Sequence, residues 1–203
     1  MHIINAEEQH IPAIRRIYAH HVLHGTGSFE TEPPDTQEML ARVKNVQSRG
    51  FPWYIALQGE TVIGYCYLSR YRERHAYRFT VENSVYIDPA YQRQGGGKAL
   101  LDHALTWARS QGYRQMIAVV GTVRTSRLAL HLRAGFTEIG TLKDIGFKLA
   151  AGWTLVLLQR QLGKGAVRCR TVRYPLRQEK GASPPFGYFS RFLPHLLLSR
   201  RLP

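Results

Sequence analysis

Cysteine is scarce in this sequence, with only Cys66 and Cys169 in 203 residues, far apart along the chain. That excludes the dense disulfide framework of a small secreted scaffold. No run approaches the roughly 18 apolar residues of a membrane-spanning helix. The opening Met-His-Ile-Ile-Asn-Ala has no basic stretch followed by an apolar one, so a cytoplasmic protein without a membrane span is expected. None of the nine histidines has the spacing of a metal-ligand set, and no metal is expected. There is no internal repeat, and no P-loop lysine followed by serine or threonine accompanies the glycine-rich turn described below. Acidic residues are also few: 14 Asp and Glu against 28 Lys and Arg leave a formal charge of +14. The excess is uneven, because nine of the basic residues lie in Gly163–Pro203 beside one acid, Glu179. The body before that tail is only moderately basic, which suits a polyphosphorylated ligand better than a nucleic acid.

What is present centres on Thr80–Leu101. Thr80 to Ile87 is rich in β-branched and aromatic residues, and Asp88-Pro89 ends it, so a strand is predicted. Gly95, Gly96 and Gly97 then lead into Ala99, Leu100, Leu101, Ala104, Leu105 and Ala108, the three- and four-residue spacing of one buried helix face. A strand that feeds a glycine turn opening a helix leaves backbone N–H groups free at a helix N-terminus, where phosphate groups bind. The bland alternative for a glycine run is a mobile linker. The spacing also departs from the dinucleotide fingerprint, and with the P-loop residues missing, nucleotide triphosphate binding is disfavoured.

The rest of the chain reads as alternating elements. His2–Asn5 is a short strand, and Ile11, Ile14, Ile17, Tyr18 and Val22 mark a helix with Pro12 in its first turn. Asp35-Thr36-Gln37-Glu38 supplies a capping-box start for a second helix with Met39, Leu40, Val43 and Val46 inward. Trp53–Leu57 and Thr61–Leu68 form a hairpin about Gly59. Ser69–Arg78 is a charged, aromatic loop. After the central helix come an apolar strand at Gln115–Val120, a short helix around Leu128–His131 ended by Gly135, and strands near Thr137–Leu142 and Trp153–Gln159. The expected class is α/β, over residues 1–162, with 163–203 a basic extension that is disordered or loosely docked.

Four features in this order resemble a known family. Gln92, Gly95 and Gly97 make Q-x-x-G-x-G, similar to the pyrophosphate loop of the GCN5-related N-acetyltransferases (GNAT). Leu130-His131 followed by Gly135-Phe136 fits the same fold. The string of Arg74, Ala76, Tyr77, Thr80, Glu82, Ser84, Val85 and Tyr86, with Gly146-Phe147-Lys148 and Trp153, resembles the phosphinothricin and methionine sulfoximine acetyltransferase branch. The resemblance implies a mixed, mostly antiparallel sheet flanked by helices. It also implies a V-shaped opening, made by a bulge, between Thr80–Ile87 and Gln115–Val120.

It further implies acetyl-CoA as co-substrate, with pantetheine on the backbone of Val85, Tyr86 and Ile87. The pyrophosphate would lie on Gln92, Arg93, Gln94, Gly95, Gly96, Gly97 and Lys98. Gly96 stands where the family usually has a larger residue, which implies a looser loop. The acceptor would be the α-amino group of a small amino-acid-like molecule, and relatives are often dimers. Amines are protonated near neutral pH, so a base is needed; Glu82 is the candidate, and a solvated strand glutamate is its bland alternative. A backbone N–H freed at the bulge would serve the oxyanion. His131 is the candidate acid for the leaving thiolate, against a packing role. Arg72 and Arg74 would hold a carboxylate, with Phe29 and Tyr77 walling the side chain.

Three features depart from the family pattern. Arg124 and Arg127 replace an asparagine and a serine ahead of the Leu-His motif, and Arg124 is a candidate contact to a CoA phosphate. One extra residue separates Lys148 from Trp153, which a bulge or loop must absorb. The basic tail matches nothing in the family. Two other readings therefore stay open: an acetyl-CoA-binding protein without turnover, and a binder of nucleic acid or membrane surface through the tail, although no specific nucleic-acid module is recognisable.

Overall fold

The computed structural model describes residues 1–121 and 126–163; Arg124, Cys169 and all of the basic tail after Gly163 lie outside the described residues. Seven strands form one sheet in the order β1-β2-β3-β4-β5-β7-β6. They are β1 (His2–Asn5), β2 (Trp53–Gln58), β3 (Thr61–Arg70), β4 (Thr80–Ile87), β5 (Gln115–Gly121), β6 (Thr137–Lys148) and β7 (Ala151–Gln161). Every pairing is antiparallel except β4 with β5. The helices are α1 (Ile11–His24), α2 (Thr36–Ser48), α3 (Gly96–Ser110) and α4 (Ser126–Arg133). No described helix is long and apolar enough to cross a membrane.

The apolar spacing read from the sequence is what buries the helices. Leu100, Leu101, Ala104, Leu105 and Ala108 of α3 share one cluster with Cys66, Leu68, Val81, Met116 and Leu158 of the sheet. On the other face, Ile11, Ile14 and Ile17 of α1 and Met39 and Val43 of α2 pack with Trp53, Ile55, Tyr65 and Tyr86. Each such aliphatic side chain contributes about 1.5–3 kcal/mol relative to exposure. At the start of α2, Asp35 accepts from the Glu38 N–H at 2.7 Å, but the Glu38 carboxylate turns to Arg42, so only half of the expected capping box forms.

The central feature is where two parallel strands stop pairing. β4 and β5 run in register from Thr80 opposite Gln115 to Asn83 opposite Ala118, and no further. Beyond that point β4 stays with β3 up to Ile87 opposite Gly64, while β5 stays with β7 up to Gly121 opposite Leu155. The strands therefore part as the resemblance implied. They do so without the expected bulge in β4, whose register with β3 is unbroken from Val81 to Ile87.

The extra residue before Trp153 falls at the β6–β7 hairpin. Leu149 and Ala150 form the two-residue turn between β6 and β7 with φ of 53° and 57°, the left-handed geometry of a tight hairpin. Further along, the β6–β7 register shifts between Leu142 and Gly146, with Asp144 at φ 50°. Neither Leu149 nor Ala150 is a residue that favours this conformation. β6, expected near Thr137–Leu142, runs on to Lys148.

Candidate active site

The parting of β4 and β5 opens into a groove of about 1020 Å³. One wall is the continuous stretch Glu82 to Ile87, and another is the turn carrying Gln92, Arg93, Gly95, Gly97 and Lys98. The third comes from α4, including His131, and Gly25 and Gly27 of the α1–α2 loop complete it. Glu82 is the only carboxylate among its described lining residues, whereas His20, His24, Arg93, Lys98, Arg127 and Arg133 supply basic groups. Such a lining favours an anionic ligand.

Backbone groups prepare two of these walls. The Asp88 N–H bonds the Ile63 carbonyl of β3 at 2.9 Å, so peptide planarity turns the Ile87 carbonyl to the open edge, where His21 Nε2 meets it at 2.8 Å. Strand alternation puts the N–H and C=O of Val85 on that same open edge, unlike those of Tyr86, which face β3. Of the three residues expected to offer backbone to pantetheine, Val85 and Ile87 are thus oriented for it. Tyr86 contributes its side chain instead, its hydroxyl donating to the Gly27 carbonyl at 3.1 Å.

Gly95 caps α3 at φ 88°, a conformation that glycine adopts without steric cost, and no side chain caps the helix. The first N–H groups of α3 are therefore left for a ligand, and the helix dipole favours a negative one. Gly96 is buried against Ile63 rather than facing the groove, and Gln94 folds back to donate to the Ala90 carbonyl at 3.1 Å. These two of the expected phosphate contacts lie off the groove lining.

Glu82 is half-buried and has no hydrogen bond or ion pair among the described residues. Burial raises its pKa, and the nearby Arg72 guanidinium opposes that rise. His131 is buried on α4, with Nδ1 2.9 Å from the Arg127 carbonyl and Nε2 2.9 Å from Asn83 Oδ1. Asn83 is fixed in turn, since its Nδ2 donates to the Ile117 carbonyl at 3.0 Å. Burial lowers the His131 pKa, and a neutral ring donates to only one of its two flanking oxygens. Asn83 was missed by the sequence reading, although a signal existed: it is the one polar residue in the alternation Val81, Asn83, Val85, Ile87.

The four residues expected on the acceptor side are not brought together. Arg72 lies over the Tyr71 ring at 5.1 Å and is near enough to Glu82 to perturb it. Tyr77 is exposed and edge-on to Tyr71, and Arg74 is exposed at the start of the turn His75–Tyr77. Phe29 lies against Gly146. None of these four lines the groove itself. Arg127, at the position of the family's serine, donates to Thr26 Oγ1 at 3.2 Å and lines the groove. Among the described residues no group of side chains has the makings of a metal site.

Comparison with known proteins agrees with this geometry. The model of the Acetyltransferase (GNAT) family matches residues 14–136. The chain belongs to this family, and its activity is N-acetyl transfer with acetyl-CoA as co-substrate. It is 46% identical over 156 residues to a phosphinothricin N-acetyltransferase of Alcaligenes faecalis, covering 76% of this chain and 79% of that one. It is 32% identical over 161 residues to an L-methionine sulfoximine/L-methionine sulfone acetyltransferase of Salmonella typhimurium, covering 79% and 94%. A phosphinothricin acetyltransferase from Sinorhizobium meliloti, solved in complex with acetyl-CoA, superimposes with a TM-score of 0.81 at 38% identity, covering 86% of this chain and 95% of that one.

Proposed function

We propose that this enzyme acetylates the α-amino group of a small amino-acid-like acceptor of the phosphinothricin or methionine sulfoximine type, with Glu82 as the base. The observation that carries the reading is the Glu82 carboxylate, without a hydrogen-bond or ion-pair partner among the described residues and half-buried at the parting of β4 and β5 in an otherwise basic groove. An acceptor ammonium has no lone pair, and loss of its proton to Glu82 gives the amine that attacks the thioester carbonyl. Burial raises the basicity of Glu82, while the Arg72 guanidinium opposes that rise and is suited to the acceptor's carboxylate. Val85 and Ile87 hold pantetheine through backbone groups, and the N-terminus of α3 holds the pyrophosphate. As the tetrahedral adduct collapses and the C–S bond breaks, the proton shed by the attacking nitrogen goes to the leaving sulfur, and His131, neutral in its buried setting, is the residue we assign to relay it.

The test is release of free thiol from acetyl-CoA with a panel of amino acids. Release with phosphinothricin or methionine sulfone is expected. No release with any amine, together with a melting temperature that acetyl-CoA still raises, would favour a binding protein without turnover. Deleting the tail after Gly163 should leave transfer intact, as expected if 1–162 is the complete catalytic unit.

A homodimer is the assembly we infer. β6 is an edge strand, and Ile139, Ile145 and Phe147 on it are 52%, 56% and 77% exposed. An apolar edge of this length is a pairing surface, and Phe147→Glu should yield monomers by light scattering. Cytoplasmic residence fits the use of acetyl-CoA.

A further inference from the structure

The Gly146-Phe147-Lys148 motif marks the family resemblance, yet none of its residues lines the groove. We propose that Gly146 and Lys148, at the end of the β6–β7 hairpin, are positioning residues that set the α1–α2 loop and its Phe29 as the wall limiting acceptor size. The inference rests on the acceptor reading given above.

The loop between α1 and α2 has no regular structure from Gly25 to Asp35, so other elements must hold it. Two ties come from aromatic hydroxyls: Tyr86 to the Gly27 carbonyl at 3.1 Å and Tyr18 to Ser28 Oγ at 2.8 Å. The hairpin provides two more. The Lys148 ammonium donates to the Gly25 carbonyl at 3.1 Å and to the Ser28 carbonyl at 2.6 Å. These carbonyls are three residues apart, so one cation gathers the loop into a bend. Lys148 is 4% exposed and has no ion-pair partner among the described residues. Backbone oxygens therefore carry its solvation, and burying such a charge merely to close a surface hairpin would be unfavourable.

Gly146 acts on the same loop by shape. Its φ is not in the left-handed region, so its own backbone accepts any residue. The constraint is Phe29: a Cβ built at Gly146 would lie 2.1 Å from Phe29 Cε2 and 2.6 Å from Cδ2. The ring rests on the bare backbone. Strand periodicity puts Gly146 and Lys148 on one face of β6, toward the loop, and Ile145 and Phe147 on the other. Trp153 braces this end by donating from Nε1 to the Lys148 carbonyl at 2.6 Å. Because Gly25 and Gly27 of the same loop line the groove that holds Glu82, a shift at the hairpin reaches that groove through the loop; it meets the β4 wall at the Tyr86 hydroxyl and leaves the backbone of Val85 and Ile87 in its register with β3.

The experiment compares Gly146→Ala, Lys148→Met, Lys148→Arg and Phe29→Ala in the full chain. The measurements are KM for methionine sulfone, KM for acetyl-CoA, and relative rates with acceptors of increasing side-chain size. Gly146→Ala, Lys148→Met and Phe29→Ala should each raise KM for methionine sulfone about tenfold, equivalent to 1.4 kcal/mol. KM for acetyl-CoA should change less than about twofold. Gly146→Ala and Phe29→Ala should shift the size preference, and Lys148→Arg should recover part of the Lys148→Met loss. If Phe29→Ala raises the acceptor KM but the hairpin variants lower only the melting temperature, the hairpin has no positioning role. If Phe29→Ala leaves acceptor KM and size preference unchanged, Phe29 is not the wall and the inference falls, while thiol release by the wild type still reports separately on acetyl transfer. Should Lys148→Met fail to fold, Gly146→Ala decides alone, since it adds one carbon and changes no charge.

Discussion

On one side of the groove, a single uninterrupted stretch from Glu82 to Lys98 supplies the strand, the turn and the helix start, and its ligand-facing groups are largely main-chain N–H and C=O. The residues proposed for the acceptor side, by contrast, lie off the groove lining and come from distant places: Phe29 after α1, Arg72 before β4, and Gly146 and Lys148 at the end of β6. Backbone groups in regular elements need no particular side chain beyond the glycine that permits the turn. A wall made of side chains from separate segments depends on every contact that holds them. Main-chain recognition on the first side thus depends on the strand and turn alone, whereas the proposed acceptor side depends on contacts between distant segments.

The strongest way to break this division is at Glu82, which belongs to both sides. Glu82→Gln should lower kcat by roughly 10²–10⁴ while the acetyl-CoA-induced rise in melting temperature persists. Loss of that rise would move Glu82 into the cofactor wall. Next in size is Arg72→Ala. Loss of a charge-assisted contact worth about 1.5–3 kcal/mol should raise KM for an amino acid roughly 10- to 100-fold more than KM for its carboxamide. Equal effects on acid and amide would separate Arg72 from the acceptor's carboxylate.

Gly95→Ala tests the backbone wall. A left-handed residue there costs roughly 1–2 kcal/mol, which the free turn can shed by opening and binding must restore, so acetyl-CoA binding should weaken by up to about tenfold and the acceptor KM be spared, because nothing lies within 4 Å of the added methyl. Calorimetry with acetyl-CoA alone reads the effect.

The smallest expected effect is on pH-dependent stability. His131 and His21 have pKa values lowered from 6.5 by burial, so between their folded values and 6.5 the unfolded chain binds more protons than the folded one. Stability should therefore fall as pH drops below 6.5, by at most about 1.4 kcal/mol per pH unit for each proton. Glu82, with a raised pKa, acts in the opposite direction just above 4.5. Melting curves of His131→Gln should have a shallower pH slope below 6.5 than wild type; an unchanged slope would mean that His131 binds its proton equally in the folded and unfolded chain.

Legibility in the sequence follows the same division. The strand at Thr80–Ile87, the glycine turn and the apolar face of α3 are local patterns, and each appears where periodicity places it. The β6–β7 turn was not legible, because Leu149 and Ala150 carry no turn signal and adopt left-handed φ only under the pairing of Lys148 with Ala151. Asn83 was visible as a polar break in an apolar alternation, but its partner His131 is 48 residues away. Arg127 was recognised as a departure, while its reach to Thr26, 101 residues back, depends on the packing of α4 over the loop.

The sequence by itself determined the order of elements, the buried faces of the helices and the glycine turn that opens α3, since these follow from spacings of a few residues and from glycine's conformational freedom. Tertiary structure alone decided that β4 parts from β5 after Asn83 without a bulge, that Lys148 turns inward to two carbonyls of the α1–α2 loop, and that Phe29 rests on Gly146. Those contacts join residues up to about 120 positions apart, and no local propensity encodes a distance that only the closed sheet brings within bonding range.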